Sequence, residues 1–143
     1  MYRKLIGSVL LIVVLTSFSG QQHSVIGSWK IAESHQEKTA VKLISVTRKD
    51  NPKLADQLEE NFLSTLELVN SVVYKYNEDQ TYEIITPYET QKGKWELKNN
   101  GRSLWVAPEN RQGRLDSIME FSQTSLLIIN KERGDTVLYT RLK

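Results

Sequence analysis

From Val72 to the C-terminus, apolar and polar residues alternate in short runs that are separated by polar turns. A period of two is typical of β-strands, because successive side chains of a strand point to opposite faces of a sheet. The connections are short, so each strand is expected to pair antiparallel with the next one. The pattern predicts seven strands, at residues 72–76, 82–86, 93–97, 103–107, 115–121, 125–130 and 136–142.

The segment before these strands predicts one further strand and one helix. Residues 25–33 suit a strand that Gly27 interrupts, with a bend or a close approach of the backbone to another group. A helix is predicted at residues 52–69, since Asn51 is a good N-cap and Pro52 suits the first helical position. Its apolar residues recur every three or four positions, as in a helix packed on one face: Leu54, Leu58, Phe62, Leu66 and Val69.

The segment between the first strand and this helix leaves two alternatives open. Residues 34–38 are polar and interrupt the strand pattern. Residues 40–47 contain apolar side chains whose spacing fits a short strand and a helical turn about equally well.

Eight strands joined by short local connections leave two exposed sheet edges unless the sheet closes on itself. We therefore predict a mainly β fold: an eight-stranded antiparallel up-and-down β-barrel with one α-helix inserted after the first strand. A barrel of this size is either just filled by its side chains or just able to hold one small ligand.

The N-terminus has the parts of an export signal. Arg3 and Lys4 precede an apolar run at residues 5–15, and Ser17 and Ser19 supply the small residues that a signal peptidase needs before a cleavage after about Ser19. The run is shorter than the roughly 20 residues of a membrane-spanning helix. We predict a cleaved signal at residues 1–20 and one barrel domain at 21–143, exported to the periplasm or secreted, with no stable membrane insertion. An uncleaved membrane anchor is the alternative.

Charge and cysteine content exclude several kinds of partner and site. The chain has 19 basic and 17 acidic residues. Cleavage of the signal removes Arg3 and Lys4, which are the two basic residues in excess. A neutral domain gives no basis for binding nucleic acid or an anionic membrane, which require a concentrated basic patch. Without cysteine there is no disulfide, no thiolate metal site and no lipid-modified cysteine behind the signal.

Residues that could carry catalysis are few, and we predict a protein that is not an enzyme. Of the two histidines, His23 lies next to the signal junction and His35 lies in a polar segment, and the carboxylates lack the spacing of a calcium loop. No cofactor or metal is expected. Arg133-Gly134-Asp135 spells a tripeptide known from cell-adhesion ligands, but a glycine between two strands is also what a hairpin turn needs.

The first and last strands of the predicted barrel carry residues that could close it together. Gly27-Ser28-Trp29 places a large ring at the start of the first strand, and Arg141 stands in the last one. In this pairing the chain resembles the lipocalins, which are calycin-type barrels. The resemblance implies that the Arg141 side chain packs over the Trp29 ring, a cation–π contact worth about 0.5–2 kcal/mol.

The chain is also similar to the small exported lipocalin-like proteins common in Bacteroidetes. The likeness rests on residues 76–82, an aromatic residue and an acidic turn leading into Thr81-Tyr82, and on the Gly-x-Trp of residues 93–95. Three features depart from that pattern. Gln80 stands where the family usually has glycine, which predicts left-handed strain or another turn type. No cysteine follows the signal, and the segment of residues 34–70 is long for a lipocalin.

The barrel interior is the remaining candidate for a site. Alternation with charged neighbours predicts that six side chains point inward, forming an apolar wall with several hydroxyls: Tyr74, Tyr82, Trp95, Met119, Phe121 and Tyr139. These side chains either line a pocket or simply fill the core. The first hypothesis is a non-catalytic exported barrel that binds a small apolar or amphipathic ligand. The alternative is a filled barrel acting as an interaction or envelope-associated module, with helix 52–69 as its working face.

Overall fold

The computed structural model describes residues 25–131 and 133–143. Its helices are α1 (Glu33–Asp50), α2 (Pro52–Glu60) and α3 (Phe62–Ser71). Its strands are β1 (Gly27–Ile31), β2 (Val73–Tyr76), β3 (Thr81–Ile85), β4 (Thr90–Lys98), β5 (Ser103–Pro108), β6 (Arg114–Phe121), β7 (Ser125–Asn130) and β8 (Asp135–Arg141). The predicted export signal lies outside the described residues. None of the helices within them has the length and hydropathy needed to cross a bilayer.

The eight strands form a closed antiparallel barrel in which each strand pairs with its neighbours in sequence. Closure occurs at β1, which pairs with β2 on one side and β8 on the other. Trp29 accordingly lies opposite both Tyr74 and Arg141. No strand is left with an unpaired edge along the barrel, which removes the usual template for aggregation. The predicted eight-stranded up-and-down barrel is confirmed.

The prediction of a single helix is wrong, because three helices follow β1. The chain becomes helical at Glu33, across the polar segment and the ambiguous segment alike. The face of α1 that is buried consists mainly of Thr39, Ala40 and Ile44. Two of these side chains are small or polar, so the helical period carries a weak apolar signal. Ala32 precedes the helix without a side-chain cap, which removes the usual start signal as well.

The predicted helix at residues 52–69 begins as expected but is divided into α2 and α3. The Asn51 side chain accepts a hydrogen bond from the Leu54 N–H at 3.1 Å, and Pro52 occupies the first helical position. At Asn61 the side-chain amide instead donates to the Gln57 carbonyl, and the backbone leaves the helical region. Such local side-chain bonds compete with helix continuation. The hydroxyl of Thr65 accommodates the break by donating to the Leu58 carbonyl.

The eight strands lie close to their predicted positions, with differences in β1 and β6. β1 is shorter than residues 25–33, since only Gly27–Ile31 pair in the sheet. In β6 the register with β7 shifts between Ile118 and Glu120, so Met119 is an extra residue in the ladder. A bulge of this kind changes which side chains face the interior beyond it.

Candidate functional site

Trp29 closes one end of the barrel, which we call the floor. Its side chain is fully buried, and its Nε1–H donates to the Val25 carbonyl at 2.9 Å. The Arg141 guanidinium lies over the ring, with Cζ 4.2 Å from the centroid. Arg141 also donates to the carbonyls of Ile26 and Gln123, both at 2.6 Å. The cation is therefore fixed against the ring by backbone contacts from two other segments.

Gly27 permits this arrangement. Its φ of 136° is a conformation that residues with a Cβ rarely adopt. A Cβ at this position would lie 2.5 Å from Nη1 of Arg141. Glycine is thus required here both for the backbone conformation and for the approach of the arginine.

The barrel next to the floor is filled by aromatic side chains. Tyr76 packs edge-on against Trp95 with ring centroids 5.6 Å apart, and Tyr82 lies 6.2 Å from Tyr76. Trp95 is 1% exposed, and its Nε1–H donates to the Asn77 carbonyl at 3.0 Å. Tyr82 and Trp95, both predicted to line a pocket, are thus part of a packed core.

Met119 does not point into the barrel, and its predicted role in the interior is wrong. Its side chain is 56% exposed. The bulge is the physical reason, because it ends the simple alternation that would place Met119 and Phe121 on one face. Phe121 is partly buried against the core, but it is not among the residues that line the cavity described next.

A cavity of about 670 Å³ opens at the end of the barrel opposite Trp29, which we call the mouth. Helix α1 borders it with Leu43 and Val46. The strands contribute Ile84 and the tyrosines Tyr74 and Tyr139. The remaining lining comes from β4, from the facing ends of β5 and β6 with their connection, and from the end of β7 with the turn that follows it: Gln91, Pro108, Arg111, Gln112, Gly113, Arg114, Asn130, Lys131 and Arg133.

The two cavity tyrosines form a tight pair. Their ring centroids are 5.0 Å apart at an interplanar angle of 77°. Burial raises the pKa of both hydroxyls, and for Tyr139 the nearby Tyr74 and Tyr76 raise it further. Positive charge on Arg133 and Arg114 acts in the opposite direction. Both phenols are thus neutral at physiological pH and lie within the electrostatic influence of two arginines.

Two arginines of the cavity wall are held by aspartates two residues further along the chain. Arg114 Nε donates to Asp116 Oδ2 at 2.9 Å, and Arg133 Nε donates to Asp135 Oδ1 at 3.2 Å. Asp116 is 1% exposed, and its other oxygen accepts the Lys131 N–H at 2.8 Å. Burial lowers the pKa of Arg114, but Asp116 outweighs that effect and the net shift is upward. The arginine is therefore charged.

The second pair retains unused hydrogen-bonding capacity. Within the described part of the chain, Nη2 of Arg133 and Oδ2 of Asp135 are buried and have no hydrogen-bond partner. Gly134 adopts a φ of 70° between them, as the predicted hairpin turn requires. Because both charged side chains are mostly buried, the tripeptide is not presented as an adhesion ligand would be.

Of the six side chains predicted to face a pocket, the structure places Tyr74 and Tyr139 in the cavity wall. The arginines were missed because alternation assigns charged residues to the outer face of a strand. One signal was available in the sequence: the spacing Arg-x-Asp occurs at both Arg114 and Arg133. Residues two apart in a strand share a face, so Arg114 and Asp116 of β6 can be buried together.

Comparison with known proteins supports the fold. No protein-family model and no curated protein matches this sequence. The crystal structure of a DUF4847 family protein from Bacteroides vulgatus matches with a TM-score of 0.51 at 11% identity. The match covers 82% of this chain and 93% of that chain. At such low identity it shows a shared fold and carries no information about a ligand.

Proposed function

We propose that this protein is an exported lipocalin-like barrel that binds a small apolar or amphipathic molecule and catalyses no reaction. The observation that carries the proposal is the cavity of about 670 Å³ at the mouth. Its volume falls within the range of about 300–1,000 Å³ that is usual for small-molecule sites. Its lining joins three aliphatic side chains, Pro108 and two tyrosines, which can contact an apolar body, to seven polar or charged side chains, which can orient a ligand.

The closure of the opposite end supports the lipocalin-like part of the proposal. Trp29 and Arg141 make the ring and guanidinium contact that the resemblance implies. Aromatic packing around Tyr76 and Trp95 fills the barrel above this floor. A ligand would therefore enter only from the mouth and occupy the upper part of the barrel.

The use of His35 supports a non-catalytic role. Its Nδ1 accepts a hydrogen bond from the Leu138 N–H at 3.2 Å, which joins α1 to β8. Among the residues that the structure describes, no group of three or more histidines and carboxylates is arranged to hold a metal ion. His35 thus has a structural contact that accounts for its position.

The alternative, an interaction module working through helix 52–69, has less support. That role requires the acidic side chains of this helix to be free for a partner. Arg48 of α1 forms ion pairs with both Asp56 and Glu59, whose side chains are 60% and 66% exposed. Two of the acidic groups are therefore already engaged within the molecule.

A fluorescence titration with the neutral probe N-phenyl-1-naphthylamine tests the proposal. We expect saturable one-to-one binding by the purified protein. Ile84→Trp would fill the cavity and abolish the binding, whereas Ile85→Trp, on the other face of β3, would leave it unchanged. Absence of saturable binding, or equal binding by the two variants, would contradict the proposal.

A further inference from the structure

The inner part of the mouth cavity does not call for a charged ligand. Arg114 is paired with Asp116, and Arg133 is paired with Asp135. Both carboxylates are buried, at 1% and 8% exposure. Burial of a charge is costly unless a partner of opposite charge accompanies it, and each of these groups has one. An uncharged ligand therefore suits the cavity as it stands.

Two tyrosine hydroxyls of the cavity wall do have unused hydrogen-bonding capacity. Neither Tyr74 nor Tyr139 makes a side-chain hydrogen bond to the residues that the structure describes. In that part of the chain, the side-chain polar atoms that are both fully enclosed and unpartnered belong to Thr39, Arg133 and Asp135. The two hydroxyls are therefore accessible from the cavity. A buried tyrosine usually finds a partner for its hydroxyl, and a bound molecule can supply it here.

These tyrosines lie at the inner end of the cavity. Tyr139 stands two residues before Arg141 on β8, so both side chains lie on the same face of the strand. Arg141 covers the Trp29 ring of the floor, and Tyr139 is 5% exposed. On β2, Tyr74 lies opposite Trp29 in the ladder. The two tyrosine rings are 5.0 Å apart, so their hydroxyls belong to one polar region near the floor.

The helix side of the same cavity is apolar. Leu43 and Val46 project from α1, which borders the mouth, and neither side chain can form a hydrogen bond. Amphipathic ligands commonly leave their polar group near solvent. Here the unpartnered hydroxyls stand at the inner end and the aliphatic side chains stand at the mouth, which favours the reverse orientation.

From this arrangement we infer that the ligand is an uncharged amphipathic molecule, with an apolar body and a hydroxyl or carbonyl group, that binds with its polar group innermost against Tyr74 and Tyr139. Its apolar body then contacts Leu43 and Val46. The inference rests on the proposed function, because it names the chemical class and the orientation of the molecule bound in the same cavity. A tyrosine hydroxyl both donates and accepts hydrogen bonds, so it can pair with an alcohol or with a carbonyl oxygen.

Displacement of N-phenyl-1-naphthylamine by 2-naphthol and by naphthalene tests this inference. The two competitors share one ring system and differ by a single hydroxyl. Naphthalene is the more apolar of the two, so a purely apolar wall would bind it at least as tightly. We expect 2-naphthol to bind about 3- to 10-fold more tightly than naphthalene, as for one net hydrogen bond.

Tyrosine-to-phenylalanine variants assign the preference to the two hydroxyls. The double variant Tyr74→Phe with Tyr139→Phe keeps both rings, so it should lose the preference for 2-naphthol while its affinity for naphthalene stays unchanged. Tyr88→Phe is the matched control, because that side chain is 86% exposed and absent from the cavity wall, and it should keep the preference. Equal affinity for the two competitors, or a preference that survives the double variant, would overturn this inference alone. Failure of N-phenyl-1-naphthylamine itself to bind would overturn the proposed function with it.

Discussion

Replacement of Trp29 by alanine tests whether this ring holds the floor of the barrel together. The Trp29 side chain is fully buried, and it is one of the largest fully buried side chains in the described part of the chain. Removing a buried tryptophan or phenylalanine in this way costs about 3–5 kcal/mol in the free energy of unfolding. The Val25 carbonyl also loses the donor that lies 2.9 Å away, so the upper half of that range is expected.

Urea unfolding followed by circular dichroism measures this change directly. Trp105→Ala is the matched control, because that ring is only partly buried and should cost less. If the alanine variant of Trp29 does not fold, Trp29→Phe keeps most of the apolar volume. It should then cost about 1–3 kcal/mol, through the unsatisfied carbonyl. A loss below about 1 kcal/mol for Trp29→Ala would refute the role of the ring in closing the barrel.

A double-mutant cycle separates the contact between Trp29 and Arg141 from the other contacts of each side chain. Arg141→Gln alone loses its bonds to the Ile26 and Gln123 carbonyls, and the cycle cancels these losses. The coupling energy should be about 0.5–2 kcal/mol, as for a partly desolvated cation–π pair. A coupling of zero would show that the arginine covers the ring without stabilising it.

Two further predictions concern backbone strain and alkaline pH. Gln80 adopts a φ of 65°, so Gln80→Gly should stabilise the protein by about 0.5–1 kcal/mol in urea unfolding, whereas Gly134→Ala, at a φ of 70°, should destabilise it by about 1 kcal/mol. Destabilisation by Gln80→Gly together with stabilisation by Gly134→Ala would show that neither backbone is strained by a side chain. Burial raises the folded-state pKa of Tyr139 well above 10.0, so its contribution to stability is complete below pH 10 and is lost as the pH rises through the folded pKa. Above pH 10, Tyr139→Phe should therefore reduce the slope of stability against pH by about 1.4 kcal/mol per unit, and an unchanged slope would argue against burial of the hydroxyl.

Strand positions were predictable because their causes are local. Alternation reports directly which side chains can share a face. Turn residues report the backbone conformation, as at Asn99 and Asn100, which adopt φ values of 53° and 57°. Gln80 adopts a left-handed φ of 65°, as expected for a position where related turns have glycine.

The helical segment and most of the cavity wall were not predictable, because their causes are tertiary. Helix α1 buries Thr39 and Ala40, which are too small or too polar to mark a helical face in the sequence. Asp116 is buried although it is charged, because Arg114 and the Lys131 N–H satisfy its oxygens. Compensation of this kind depends on partners that only the folded barrel brings together.

The location of a bound molecule is the most direct test of the account. Backbone amide chemical shifts of the isotope-labelled protein, followed by NMR during titration with N-phenyl-1-naphthylamine, provide it. The cavity at the mouth predicts that the largest shifts occur at Tyr74, Ile84 and Tyr139, with little change at Gln123 beside the floor. Shifts confined to the outer surface, or no shifts at saturating probe, would contradict a ligand site in the mouth of this barrel.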